Sequence, residues 1–273
     1  MKPILFQIGS FPVRSYGLML VIGFYVALSL ASRRAKKFGM NPSIVFDSSL
    51  WLIGLGILGA RVFFIAQEWK HYSTHPAQLW SLQFQGLTSF GGYVFGFIAL
   101  VVWCKVKRAS LVTMMDILAP PALVANAIGR IGCLLNGCCH GHKCLPGAWG
   151  VHVEGFPGLY QPAQVYESVF NLLAFGFVLW LEKKRTQAGL PGGMAFIMLG
   201  VCRFIYEFWR AGTPADVDAG IASSSYIKGL PITDAQLVAL LFVVFGAIWW
   251  LVAARKANDP ENENRLTDVE SLS

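Results

Sequence analysis

"VRSYGLMLVIGFYVALSLASRRAKK", residues 13–37, decides the fold class, because an apolar stretch long enough to cross a bilayer runs straight into four basic residues. About 20 mainly apolar residues span the hydrocarbon as a helix, since only a helix or a closed barrel satisfies its backbone there without water. The composition agrees: 55% of the 273 residues are hydrophobic, 14% are charged and the mean hydropathy is +0.53, against roughly 25% charged in a soluble domain. The reading is an all-α integral membrane protein with about seven transmembrane helices, near residues 13–31, 46–66, 88–104, 111–128, 165–181, 191–209 and 234–254. The fourth carries Asp116, Asn126 and the Pro120-Pro121 pair, so it is expected to kink or to line a polar cavity, with a re-entrant segment as the alternative.

Charge placement sets an orientation. Short cytoplasmic loops collect Lys and Arg. Four basic residues follow the first span, three the third and three the fifth, and three follow the last when Arg265 is included, so 13 of the 22 share one face. That predicts the N terminus outside and the C terminus in the cytoplasm. A net charge of +7 and a pI near 9.2 then reflect topology and attraction to anionic membrane lipids, and no nucleic-acid module is read. The first span is expected to stay as a helix, since its basic cluster follows the apolar run rather than preceding it. One domain over residues 1–256 is expected, with outer loops at about 67–87, 129–164 and 210–233 and a polar, disordered cytoplasmic tail at 257–273.

The largest outer loop opens with "GRIGCLLNGCCHG", residues 129–141. Its glycines suit tight turns and close backbone approach to a ligand. Arg130, at headgroup depth, either holds a phosphate through paired hydrogen bonds or snorkels as an interfacial anchor. In "GVCRFIYEFWR" Arg203 and Glu207 stand four apart on one helix face, where they can pair, and an ion pair inside a span marks a candidate functional site. Arg61 is read as structural or supporting. Tyr16 either belongs to an interfacial aromatic belt or is an exception to it, its hydroxyl near a charged pocket able to hydrogen-bond a phosphate or a carboxylate. "QPAQVYE", residues 161–167, opens the fifth span, so Gln164, Tyr166 and Glu167 enter the membrane at its outer edge, with Glu167 a partner for a buried arginine. Cys133, Cys138, Cys139, His140, His142 and Cys144 are six soft-metal ligands within twelve residues. Closed zinc sites pair two such knuckles, and beyond His152 no second one exists. Disulfides are an equal alternative in an oxidising compartment, and no metal or cofactor is assigned. Cys104 and Cys202 read as small core residues.

Taken in order, "SYGLM", "LGARVF", "SFGGYVFG", "GRIGCLLNGCCHG", "QPAQVYE" and "RFIYEFWR" resemble the bacterial phosphatidylglycerol:prolipoprotein diacylglyceryl transferase family over nearly the whole chain. The resemblance implies seven spans in the bacterial inner membrane with the N terminus outside, and an active site near the periplasmic leaflet. It also implies transfer of the diacylglyceryl group of phosphatidylglycerol to the lipobox cysteine of a prolipoprotein signal peptide, with glycerol phosphate released. Arg130, Arg203, Glu207 and His140 are then the catalytic candidates, and Tyr16, Arg61, Gly91, Gly92, Asn136, Gly137, Gln164, Tyr166 and Glu167 the substrate-binding ones. The chain departs from the family pattern in three places. Phe90 stands where the family commonly has histidine before two glycines, Gln161 stands where a second histidine is common, and Cys133 and Cys138 follow a "GRIGC..NGCC" subgroup. The proton acceptor is therefore open: His140 takes that role or is a plain surface histidine. Two other readings remain, a transferase with another acceptor and a non-catalytic membrane protein that binds anionic lipid or metal.

Overall fold

The computed structural model describes residues 4–8, 11–74, 89–145, 147–153, 157–185, 187–211, 226–227, 230 and 232–257. Most of the outer loops expected at 67–87 and 210–233, and the expected tail beyond residue 257, lie outside the described residues. In chain order the elements are β1 (Ile4–Ile8), β2 (Phe11–Arg14), α1 (Ser15–Lys37), α2 (Pro42–Gln67), α3 (Trp69–Thr74), α4 (Ser89–Lys107), α5 (Leu111–Asn136), β3 (Val151–His152), β4 (Leu159–Tyr160), α6 (Ala163–Lys184), α7 (Leu190–Ala211) and α8 (Asp234–Ala257). The strands form two small antiparallel hairpins, β1 with β2 and β3 with β4. Among the described residues six helices, α1, α2, α5, α6, α7 and α8, are long and apolar enough to cross a membrane. The expected span at 88–104 is the 19-residue helix α4.

The chain divides into two compact units, residues 31–114 and residues 1–30 with 115–273. In the smaller unit α2 packs on α4 through small residues. A Cβ on Gly59 would stand 2.6 Å from the Gly91 carbonyl oxygen, and one on Gly91 would run into the Gly59 carbonyl. Without a hydrophobic drive between helices in lipid, such close backbone approach is what holds them. In the larger unit the α7–α8 contact works in the same way: Cβ atoms on Gly193 and Gly200 would stand 2.8 Å from the Gly246 carbonyl and 2.5 Å from the Ala239 carbonyl. A core of Leu123, Ala174, Val178, Ala195 and Cys202 joins α5, α6 and α7. Half of the apolar window of α5 and of α7 is buried, against 17% for α1 and α8, so the helices that carry the arginines are the inner ones of this unit.

The fourth expected span differs from its reading. It is a 26-residue helix that contains both prolines and runs on through "GRIGCLLN" to Asn136, so the loop expected from residue 129 begins at Gly137. Gly132 explains the extension, because it serves a helix contact and not a turn: a Cβ there would meet Met19 Cβ at 2.9 Å. Asp116 ties α5 to the start of α7. Buried, it accepts from the backbone N–H of Gly189 at 2.7 Å and of Gly192 at 2.8 Å, satisfying donors at the start of α7 that have no partner inside the helix.

Candidate functional site

The site is built where α5, α6 and α7 meet. Positions 203, 207 and 210 lie three and four residues apart, so Arg203, Glu207 and Arg210 share one face of α7. Arg203 Nη2 is 2.9 Å from Glu207 Oε2, and Arg210 Nη1 is 3.1 Å from Glu207 Oε1. From α5, Arg130 Nε lies 2.7 Å from Glu167 Oε2 on α6, as an ion pair without an aligned hydrogen bond. Arg203 Nη1 approaches the same oxygen at 3.8 Å. Asn126 on α5 faces that carboxylate. The guanidiniums of Arg130 and Arg203 also lie over the ring of Tyr206, 5.4 and 4.8 Å from its centroid, and the ring is fully buried. Cations placed over a desolvated ring gain about 2 kcal/mol each.

Exposure separates the two kinds of group. The arginine side chains are 21%, 23% and 22% exposed, whereas the carboxylates of Glu167 and Glu207 are at 1% and 0%. The carboxylates are sealed and fix the guanidiniums; the guanidiniums keep an open side. Among the described residues the cluster brings three guanidiniums against two carboxylates. A planar fork already held in place at a dry site suits an anion that forms during a reaction, because no reorganisation is needed at that moment.

Against this cluster lies the end of α5. Gly137 (φ 76°) ends the helix, with Gly137 N–H donating to Leu134 O at 3.2 Å and Cys138 N–H to Cys133 O at 3.1 Å, the bond pair of a Schellman cap. The turn is tied to the neighbouring helices. Gln164 Nε2 donates to Cys138 O at 2.7 Å, and the Tyr206 hydroxyl donates to Cys139 O at 3.1 Å. The Cys139 thiol, beyond the end of the span, is held well below the usual thiol range. Hydrogen bonds from the Cys133 and Cys138 thiols are the main cause, with Arg130 and Arg210 adding to it.

The sequence profile described as prolipoprotein diacylglyceryl transferase matches residues 3–252. The chain belongs to that family. Among its relatives, the phosphatidylglycerol–prolipoprotein diacylglyceryl transferase of Clostridium tetani is 33% identical over 84% of this chain and 92% of its own length. Those of Lactobacillus gasseri and Streptococcus uberis, proteins of the same name, are 30% and 28% identical over 96% and 94% of this chain, covering 93% and 97% of their own lengths.

Within this diacylglyceryl transferase fold, Arg130, Glu167, Arg203 and Glu207 come together as one network. Asn136 closes α5 beside the Cys138 thiol, which donates to Cys133 O at 3.6 Å. Tyr16, at the start of α1 and exposed, touches the position of Gly132, where a Cβ would sit 3.4 Å from its ring. Gln164 is engaged through its amide N–H, while its Oε1 is buried without a hydrogen-bond partner among the described residues. Tyr166 turns elsewhere: its hydroxyl donates to Gln161 Oε1 at 2.9 Å and its ring meets Trp209. His140 is engaged locally, with Nδ1 3.0 Å from Gly141 O and its ring against Tyr160. Gly91 and Gly92, with Arg61, belong to the other unit, where Gly91 is taken up by the α2–α4 contact and Arg61 lies over the rings of Tyr72 and Phe64. Tyr206 and Arg210 were not among the expected site residues. The spacing from Arg203 to Arg210 signals the second, but nothing in one sequence signals a ring shared by arginines of two helices.

Proposed function

We propose that the chain transfers the diacylglyceryl group of phosphatidylglycerol to the thiol of a prolipoprotein's lipobox cysteine, at the outer face of the bacterial cytoplasmic membrane. The thiolate attacks the diacylglyceryl carbon that bears the phosphate ester. A carbon–sulfur bond forms, the carbon–oxygen bond breaks, and its electron pair leaves on glycerol phosphate. The protein's task is to receive that charge. Arg130 and Arg203 do so, with Arg210 beside them, while Glu167 and Glu207 orient the guanidiniums. The observation that carries this reading is that arginines of two helices, α5 and α7, meet at one sealed carboxylate and keep an open side. An apolar groove of about 240 Å³ lined by Phe170, Leu173, Ala174, Phe177, Met198 and Ile205, with Cys202, runs along α6 and α7 and suits the acyl chains of the lipid. Seven crossings, with α4 as the third, and the N terminus outside fit the basic clusters at the C-terminal ends of α1, α4, α6 and α8.

The test supplies labelled phosphatidylglycerol and a lipobox peptide to the purified protein. The expected product is the peptide with a thioether-linked diacylglyceryl group and one equivalent of glycerol phosphate, with nothing formed on a serine-substituted peptide. Transfer to the serine peptide, or none to either, contradicts the proposal.

A further inference from the structure

Beside the arginines stands a set of side chains that the reaction above leaves unused. The sulfurs of Cys133, Cys138 and Cys139 all lie within 4.8 Å of one another, and all three are free thiols. The backbone is shaped to bring them together. Cys139 is held at φ 60°, a left-handed conformation that a residue with a side chain adopts at a cost and that persists only where its surroundings impose it. The hydrogen bonds of Gln164 and Tyr206 to the carbonyls of Cys138 and Cys139 impose it here. Tetrahedral zinc with sulfur bonds of about 2.3 Å separates its sulfurs by about 3.8 Å, so side-chain movements of under about 1 Å close this trio on a metal ion. A zinc ion with three protein ligands keeps its fourth position for a substrate.

We propose that Cys133, Cys138 and Cys139 bind one zinc ion, whose open fourth position takes the sulfur of the incoming lipobox cysteine. This rests on the transferase reading and supplies what that reading leaves open, a group that deprotonates the thiol. A thiol bound to such an ion gives up its proton outright, here to water. The metal-bound sulfur then attacks the diacylglyceryl carbon, the phosphate leaves with the electron pair of the carbon–oxygen bond, and the thioether, a poorer ligand, departs. Ion and arginines thus act on opposite ends of one displacement.

Cobalt(II), which reports its ligands in the visible spectrum, is the probe. The full chain, purified in detergent and stripped with a chelator, is expected to bind one equivalent with thiolate charge-transfer and tetrahedral bands. The bands vanish in Cys133→Ser, Cys138→Ser and Cys139→Ser and survive in Cys144→Ser. A lipobox peptide shifts them, and its serine counterpart does not. Chelation lowers transfer by about 100-fold, the low end of what a proton-removing group contributes, and zinc restores it. A protein that binds no stoichiometric cobalt, that holds a disulfide among the three cysteines, or that answers both peptides alike overturns the inference. Full transfer by the chelated protein overturns it too, while leaving the transferase reading intact. Failure of that reading shows separately, as no transfer from the metal-loaded wild type.

Discussion

Arg130 and Arg203 do different things with the same chemical group. Arg130 meets Glu167 through Nε, whereas Arg203 is held from both sides by Glu167 and Glu207. Lysine cannot reproduce a planar fork, so Arg130→Lys is expected to keep the charge and lose about 100-fold in turnover, the usual effect of removing one oriented donor, as read by glyceryl transfer to a lipobox peptide. Glu167→Gln removes the charge that holds both arginines in place. Breaking a buried pair costs roughly 3–5 kcal/mol; the arginines are about a fifth exposed, which brings the expectation down to about 1–3 kcal/mol, measured as a lower unfolding temperature in detergent. The pairing of Arg203 with Glu207 is legible in one sequence because helical spacing alone brings them together. Glu167 with Arg130 is legible only as a candidate, and the three thiols only as an unpaired knuckle, since both depend on how separate segments fold back on one another.

At the scale of the element, the reading of α5 is the instructive one. Glycine signalled a turn in "GRIGCLLNG", and one glycine, Gly137, does make it, at φ 76°. Gly129 and Gly132 lie inside the helix. The sequence shows where a chain is free to turn, but not where a neighbouring helix needs the space. Ala is the better helix former, yet Gly132→Ala sets a Cβ 2.9 Å from Met19 Cβ, an atom fixed to its own backbone, so the contact wins and about 1–3 kcal/mol of stability is lost. Asp116→Ala leaves the buried N–H groups of Gly189 and Gly192 without their acceptor, and about 2 kcal/mol is expected to go with it. Thermal unfolding of the detergent-solubilised variants, with membrane yield as a second readout, checks both.

For the whole molecule, the fold class was legible because bilayer thickness fixes the length of an apolar run, and α1, α2 and α8 are such runs with little else to read. The packing seams were not, since Gly59, Gly91, Gly193, Gly200 and Gly246 are uniform in sequence and gain meaning only from the helix opposite. The proposed orientation rests on the basic clusters. A reporter fused after Ser273 is expected to fluoresce as a green fluorescent protein fusion and to be silent as an alkaline phosphatase fusion, and the reverse pattern would place the catalytic face in the cytoplasm. The central claim, that Arg130 and Arg203 form one seat for one leaving phosphate, is tested most directly by the turnover of Arg130→Ala, Arg203→Ala and the double variant. Groups that act as a unit lose nearly everything at the first substitution, so each single variant is predicted to fall by about 100-fold or more and the double to fall little further; full turnover in either single variant, or losses that multiply as if independent, would contradict it.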